Sequence, residues 1–196
     1  MSDRSDQPRN VDDRVVEAFG DEWSRFGNES LDDRELAQIV EFAARLCEVP
    51  IAMVTLVEKD RQRFLARKGF PGLETPRSTS LCAHTMEGQG PLVVPDASED
   101  ARFAEMELVK TDDGVRFYAG QPLVSSEGVP LGALCVIDRE ARPEGLNSLQ
   151  REGLEVLGRA VMRRLTAERD AAIAENRIEV SELRTRQTCS RSASAA

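Results

Sequence analysis

The sequence predicts an α+β fold, an antiparallel β-sheet flanked by helices with a long C-terminal helix. Three observations predict it. Residues 116–138 read as two strands joined by the turn set Ser125, Ser126, Glu127 and Gly128, with the second strand an apolar run from Leu131 to Ile137. Residues 51–68 read as a second hairpin. Stripes of apolar residues at helical spacing lie before the first hairpin and after the last, with no βαβ alternation between them.

Taken in order, residues 1–10 are polar and expected to be disordered. Val15, Phe19, Trp23 and Phe26 recur at helical spacing and predict an amphipathic helix within 11–28, ended by Gly27 and Asn28. Ser30 and Asp33 form a capping-box-like pair. Behind them Leu36, Ile39, Val40, Ala43, Leu46 and Cys47 make a helical stripe that Pro50 stops. Ile51 to Val57 is a near-continuous apolar run, as expected of a central strand, and Glu58, Lys59 and Asp60 turn the chain into the alternating segment Gln62 to Lys68. Residues 69–79 read as loop, Ser80 to Met86 as a short helix capped by Ser80, and Leu92 to Val94 as a short strand. Asp96 to Leu108 reads as a loop followed by a short helix carrying Phe103, Met106 and Leu108. After the last hairpin Asn147 caps a long helix with Leu154, Leu157, Val161 and Leu165 on one face. Beyond Leu165 the stripe thins through a distal helix, 166–186, and the Ser/Ala/Arg-rich residues 187–196 read as a disordered tail.

Composition narrows the function classes. The chain has 196 residues, enough for one domain with helical extensions, and its aromatic content of 5% requires a largely aliphatic core. A net charge of −9 argues against a nucleic-acid partner and against an anionic membrane surface. No apolar run reaches 18 residues and the N-terminus lacks a signal core, so a cytoplasmic location is expected. Cys47, Cys82, Cys135 and Cys189 are widely spaced, which fits neither a disulfide framework nor a zinc site. Cys47 on a helical stripe and Cys135 in an apolar strand read as core residues.

Several motifs, in order, resemble those of GAF domains, a GAF/PAS-like fold. Arg116-Phe-Tyr-Ala-Gly-Gln-Pro-Leu123 and Leu131-Gly-Ala-Leu-Cys-Val-Ile-Asp138 resemble the family's final hairpin. Ala44–Val57 resembles its helix running into the first strand, and Asp60–Gly69 its second strand. Ser80-Leu-Cys-Ala-His84 resembles the short helix of a bacterial subgroup carrying S-F-C-A-H. Pro91–Ala97 and Asp100–Phe103 resemble the strand and loop that roof the family's pocket. The resemblance covers residues 32–165 and implies a sensory domain with a small-molecule pocket. Such domains often sit beside histidine kinase or cyclic-di-nucleotide enzyme modules, but no Walker A or GGDEF-like stretch occurs in this sequence. The family also includes bilin photoreceptors, whose attachment cysteine is usually followed directly by His or Tyr, whereas Ala83 follows Cys82 here. Free methionine sulfoxide reductases also belong to it and group several cysteines at the pocket, whereas only Cys82 reads as comparably placed here.

The candidate ligand-binding residues are Phe64, Cys82, His84, Asp96, Asp100, Arg102, Phe103 and Tyr118, with no catalytic residue and no metal ligand assigned. Cys82 and His84, the single histidine, are the one local pair of reactive types, and a helix start at Cys82 would favour its thiolate. At i and i+2 on a helix the two do not face each other, so the alternative is a packed thiol and a structural imidazole hydrogen bond. Asp100 with Arg102 suggests an ion pair or polar clamp, or else a helix cap. Phe64, Phe117 and Tyr118 serve as core or as a ligand platform.

The expected function is non-catalytic sensing of a small molecule or partner protein, with no cofactor that the sequence names. Two rival readings stand beside it, a thiol redox sensor or reductase centred on Cys82, and a dimerising adaptor with a filled pocket. Residues 147–185 as one helix would span about 58 Å, more than such a domain needs. A homodimer is therefore expected, joined by this helix and the helix within 11–28 and centred on 154–166.

Overall fold

The computed structural model describes residues 33–193 other than Gln89. The expected disordered start and the helix within 11–28 lie outside those residues. Helix α1, Arg34–Cys47, begins where Asp33 accepts hydrogen bonds from the backbone N–H of Glu35 at 2.8 Å and Leu36 at 3.2 Å. Its buried stripe is Leu36, Ile39, Val40, Ala43, Ala44 and Cys47, the face that the 3.6-residue period selects. Glu48 turns the chain through the left-handed region at φ 55° before Pro50. Arg142 closes this end, donating to the carbonyls of Cys47 at 2.7 Å and Glu48 at 2.6 Å while pairing with Asp138 at 2.8 Å.

The sheet contains β1 (Ile51–Val57), β2 (Arg61–Lys68), β3 (Glu74–Pro76), β4 (Leu92–Val94), β5 (Phe117–Val124) and β6 (Pro130–Asp138). Its order is β3-β2-β1-β6-β5-β4, and every pair is antiparallel. Two hairpins are thus joined through β1 and β6, with Ile51 opposite Ile137 and Met53 opposite Cys135. Their central position explains why β1 is buried along its whole length. A register shift at Val54/Thr55 sets Phe64 opposite Thr55.

The pleat sends alternate residues to two layers. Helix α1 packs on β1, β2 and β6 on one side. On the other, Met53, Phe64, Tyr118 and Cys135 enter one core with Leu81, Met86 and Phe103. That second core is closed by α2 (Leu81–Glu87) and by the segment 96–110, which ends in α3 (Glu107–Lys110).

Helix α4, Ser148–Ala193, starts with a reciprocal cap: Gln150 N–H donates to Asn147 Oδ1 at 2.9 Å, and Asn147 N–H to Gln150 Oε1 at 3.1 Å. The chain divides into two compact units after Met162. In the first, Leu154 and Val161 are buried. The second is the remainder of α4 and carries an Arg164–Glu168 ion pair one turn apart.

Two differences from the sequence reading stand out. Within the expected loop 69–79, Glu74–Pro76 pairs with Arg61–Arg63 as an edge strand, followed by a 3₁₀ turn at Arg77–Thr79. Three residues are too few to show a period, and Pro76 is tolerated at an edge. The helix also continues to Ala193 through residues expected as tail, although Thr188, Cys189, Ser190 and Ser192 are only middling helix formers. Among the described residues no helix is long and apolar enough to cross a membrane.

Candidate functional site

Ser80 organises the site. Its hydroxyl caps α2 by accepting from Ala83 N–H at 3.1 Å and donates to the side-chain oxygen of Gln62 on β2. The amide nitrogen of Gln62 then points at Cys82 Sγ, 3.7 Å away. Tyr118 of β5 donates to the same sulfur at 3.4 Å and shares a hydrogen bond with Thr85 Oγ1 at 2.6 Å. Cys135 of β6 brings its sulfur to 3.6 Å from that of Cys82. A thiol–hydroxyl–amide cluster therefore sits between α2 and the sheet, with Cys82 accepting from both Gln62 and Tyr118.

The cluster redistributes proton affinity. The Cys135 thiol beside it holds Cys82 below the ordinary cysteine range, with Thr55, Tyr118 and Gln62 adding to this and burial opposing it. Cys135 is pushed well up by the same contact and by burial. Tyr118 is pushed well up by burial first, then by charge on the cysteines. Cys47, on the other side of the sheet, is raised by burial to about 11, with Arg142 opposing.

Gly120 makes room for this arrangement. It follows Tyr118 by two residues on the same face, and a Cβ there would lie 2.3 Å from the Tyr118 hydroxyl and 2.6 Å from Thr85 Oγ1.

Over the cluster lies a roof. Asp100 and Arg102 form a two-pronged ion pair, Nε to Oδ1 at 2.9 Å and Nη2 to Oδ2 at 2.6 Å, which lowers the acid and raises the base. Asp100 also shapes the turn, its carbonyl accepting from Phe103 and Ala104 N–H at 2.9 Å each. The Arg102 guanidinium stacks 4.7 Å from the Phe103 ring centre. Phe103 is fully buried, and His84 meets its ring edge-on at 5.0 Å. His84 also lies 3.4 Å from Glu87.

Of the eight candidate residues, Cys82 and Tyr118 meet directly, Phe103 shares their core, and His84 and Arg102 each contact the Phe103 ring, with Asp100 holding Arg102. Phe64 belongs to the same core and packs edge-on against Phe70 at 5.4 Å. Asp96 stands apart, accepting from Ser98 N–H at 2.9 Å in a local turn. His84 and Cys82 do not pair, as their spacing implied. Gln62, Ser80, Thr85, Gly120 and Cys135 were not singled out as site residues. The alternation of β2 puts Gln62 on the face of Phe64, and that signal could have found it. The expectation that Cys82 is the one cysteine so placed is corrected by Cys135 beside it.

A shallow cleft elsewhere, lined by Leu92, Gln121, Leu146, Arg151 and Leu154 among others, encloses about 10 Å³, room for a water but not a metabolite. Among the described residues no three His, Cys, Asp or Glu side chains group to hold a metal.

The sequence pattern of the GAF domain matches residues 33–165. The chain belongs to the GAF domain family, whose members serve sensing and signalling. Over 110 residues it is 41% identical to a cyclic di-GMP phosphodiesterase of Pseudomonas aeruginosa, a stretch that is 56% of this chain and 19% of that protein. The chain thus spans about a fifth of that relative's length. Among solved structures it resembles the GAF domain of an Acinetobacter phosphoenolpyruvate-protein phosphotransferase, at TM-score 0.58 and 15% identity, covering 83% of this chain and 94% of that one. It also resembles the free methionine-R-sulfoxide reductase of Neisseria meningitidis, solved with its substrate, at TM-score 0.53 and 18% identity, covering 87% and 99%. At these identities the two structures bear on the fold alone.

Proposed function

We propose that the chain is a sensory GAF module without catalysis of its own, which takes up a small molecule between α2, the 96–103 roof and the sheet. The observation that carries this reading is the convergence of Gln62 and Tyr118, aimed by Ser80 and Thr85, on the buried Cys82 sulfur in the core that Phe103 closes. A few converging polar groups in an apolar setting are what orient a bound small molecule. Phe64, Cys82, Asp100, Arg102 and Tyr118 would contact it, with His84 at the rim. The relative's name supports a signalling context, in which the shared module reads a stimulus for an attached or partner protein. Output then passes through α4 to a partner or a second copy of the chain.

Native mass spectrometry of the chain isolated from its own cells tests this. A bound small molecule, lost in Gln62→Leu and Tyr118→Phe, is the expected result. Light scattering checks the output arm, where a dimer is expected and a monomer of 21.7 kDa contradicts it.

A second reading has its own observation. Phe64, Cys82, Phe103 and Tyr118 are each at most 2% exposed and fill the interior themselves. That favours an adaptor that presents its surface and takes up nothing, and an empty native spectrum together with a dimer would select it.

A further inference from the structure

We propose that Cys82 and Cys135 form a peroxide-responsive dithiol that closes to an intramolecular disulfide tying α2 to the central strand β6. The inference goes beyond ligand uptake and stands without it, because it rests on the two sulfurs and their neighbours.

The two residues lie 53 positions apart in sequence, yet their sulfurs are 3.6 Å apart. Bond formation requires an approach to about 2.05 Å. Cys82 sits on a seven-residue helix held to the sheet by side chains rather than by a backbone ladder, so small shifts of α2 supply that movement. Cys135 is fixed in the middle of the sheet, between β1 and β5. One sulfur on a short helix and one in the central sheet divide the roles.

Cys82 is the attacking sulfur. The Tyr118 hydroxyl at 3.4 Å and the Gln62 amide at 3.7 Å both donate to it, which stabilises a thiolate. Thr85 holds the Tyr118 hydroxyl at 2.6 Å and Ser80 holds Gln62, so both donors are aimed. The contact between the two sulfurs that lowers Cys82 also raises Cys135, with burial adding to it, so Cys135 stays protonated as the resolving thiol.

The chemistry balances as follows. The Cys82 thiolate attacks the outer oxygen of a hydroperoxide. The O–O bond breaks, leaving Cys82 sulfenic acid and, after protonation, an alcohol or water. The Cys135 sulfur then attacks the Cys82 sulfur, the S–OH bond breaks, and the departing hydroxide leaves as water with the Cys135 proton. Two thiols lose two electrons and two protons in all, which the hydroperoxide takes up. A dithiol reductant reverses the step.

The full chain is reduced, freed of reductant and exposed to hydrogen peroxide, then unfolded in an alkylating reagent, digested and mapped by mass spectrometry. The expected product joins the Cys82 and Cys135 peptides with loss of two hydrogens, and dithiothreitol reverses it. Cys135→Ser should stop at the first stage, with Cys82 sulfenic acid captured by dimedone. Tyr118→Phe should slow disulfide formation about tenfold, the effect of losing one hydrogen bond to a thiolate. The proposal is overturned if both cysteines of the unaltered chain remain alkylatable while the protein is still folded. Pairing of Cys82 with Cys47 or Cys189 overturns it equally. The decisive readout is in the unaltered chain, so an unstable variant does not blunt it.

Discussion

Replacing Gly120 by alanine tests whether the Tyr118 hydroxyl is held as tightly as the structure implies. The new Cβ would lie 2.3 Å from that oxygen, 2.8 Å from Tyr118 Cζ and 2.6 Å from Thr85 Oγ1. None of these can give way freely, because Tyr118 and Thr85 are fully buried and bonded to each other. Overpacking of this kind costs about 1–3 kcal/mol, and displacing the Tyr118–Thr85 hydrogen bond adds about 1 kcal/mol. Gly120 is not at positive φ, so alanine also restricts the unfolded chain and returns up to about 1 kcal/mol. The net loss is about 1–4 kcal/mol, or about 2–16 °C in melting temperature for a chain of this length. The melting curve of Gly120→Ala measures it directly. Tyr118→Phe removes the closest contact, so in the alanine background it should cost less than in the parent, a coupling of about 0.5–3 kcal/mol. An unchanged melting temperature, or strict additivity of the two substitutions, would refute the packing argument.

Other perturbations probe the supports of the site. Arg142→Ala strips the Cys47 and Glu48 carbonyls of their donor and Asp138 of its partner, and should destabilise the domain by about 2 kcal/mol in urea titration; a loss below a few tenths would mean that solvent replaces it. Leu134→Asp puts a carboxylate into a fully buried position of β6 and should leave no folded protein at ambient temperature, since the burial costs several kcal/mol; a soluble variant with the parental melt contradicts that strand's central place. At alkaline pH the native state keeps its proton on Cys47 up to about 11, while the unfolded chain loses it near 9.0. Unfolding then releases protons, so the Cys47 contribution is level below pH 9 and is lost as pH rises toward 11; Tyr118 and Cys135, also raised, act in the same direction, and the lowered Cys82 acts oppositely below pH 9. Melting temperature against pH in the parent and in Cys47→Ala checks the sign, with a flatter curve expected for the variant.

The fold was largely legible because its elements announce themselves by period. The stripe from Leu36 to Cys47 and the run Leu131 to Ile137 have one physical solution each. The edge strand Glu74–Pro76 was missed because its pairing is a tertiary fact that three residues cannot encode. Half of the site was legible in the same sense. Cys82, Phe103 and Tyr118 could be named from residue type and motif. Gln62 was within reach through the alternation that sets it on the face of Phe64, but Cys135 was not, because what gives it a chemical role is the antiparallel register and the seating of α2, which bring it beside the Cys82 sulfur. Local sequence carries no record of that convergence. The clearest instance is Gly120, whose meaning appears only when the Tyr118 ring is seen folded across it.

Both the uptake of a small molecule and the oxidation of Cys82 require that α2 and the roof open without the sheet. Native-state hydrogen exchange measures this on the protein alone. The amides of Leu81–Met86 and Phe103–Val109 are predicted to exchange through openings well below the global unfolding free energy, while those of Met53, Tyr118 and Cys135 exchange only through global unfolding. If every one of these amides shares the global value, the interior is sealed in the folded protein. Neither a ligand nor a peroxide then reaches the cluster, and the account fails.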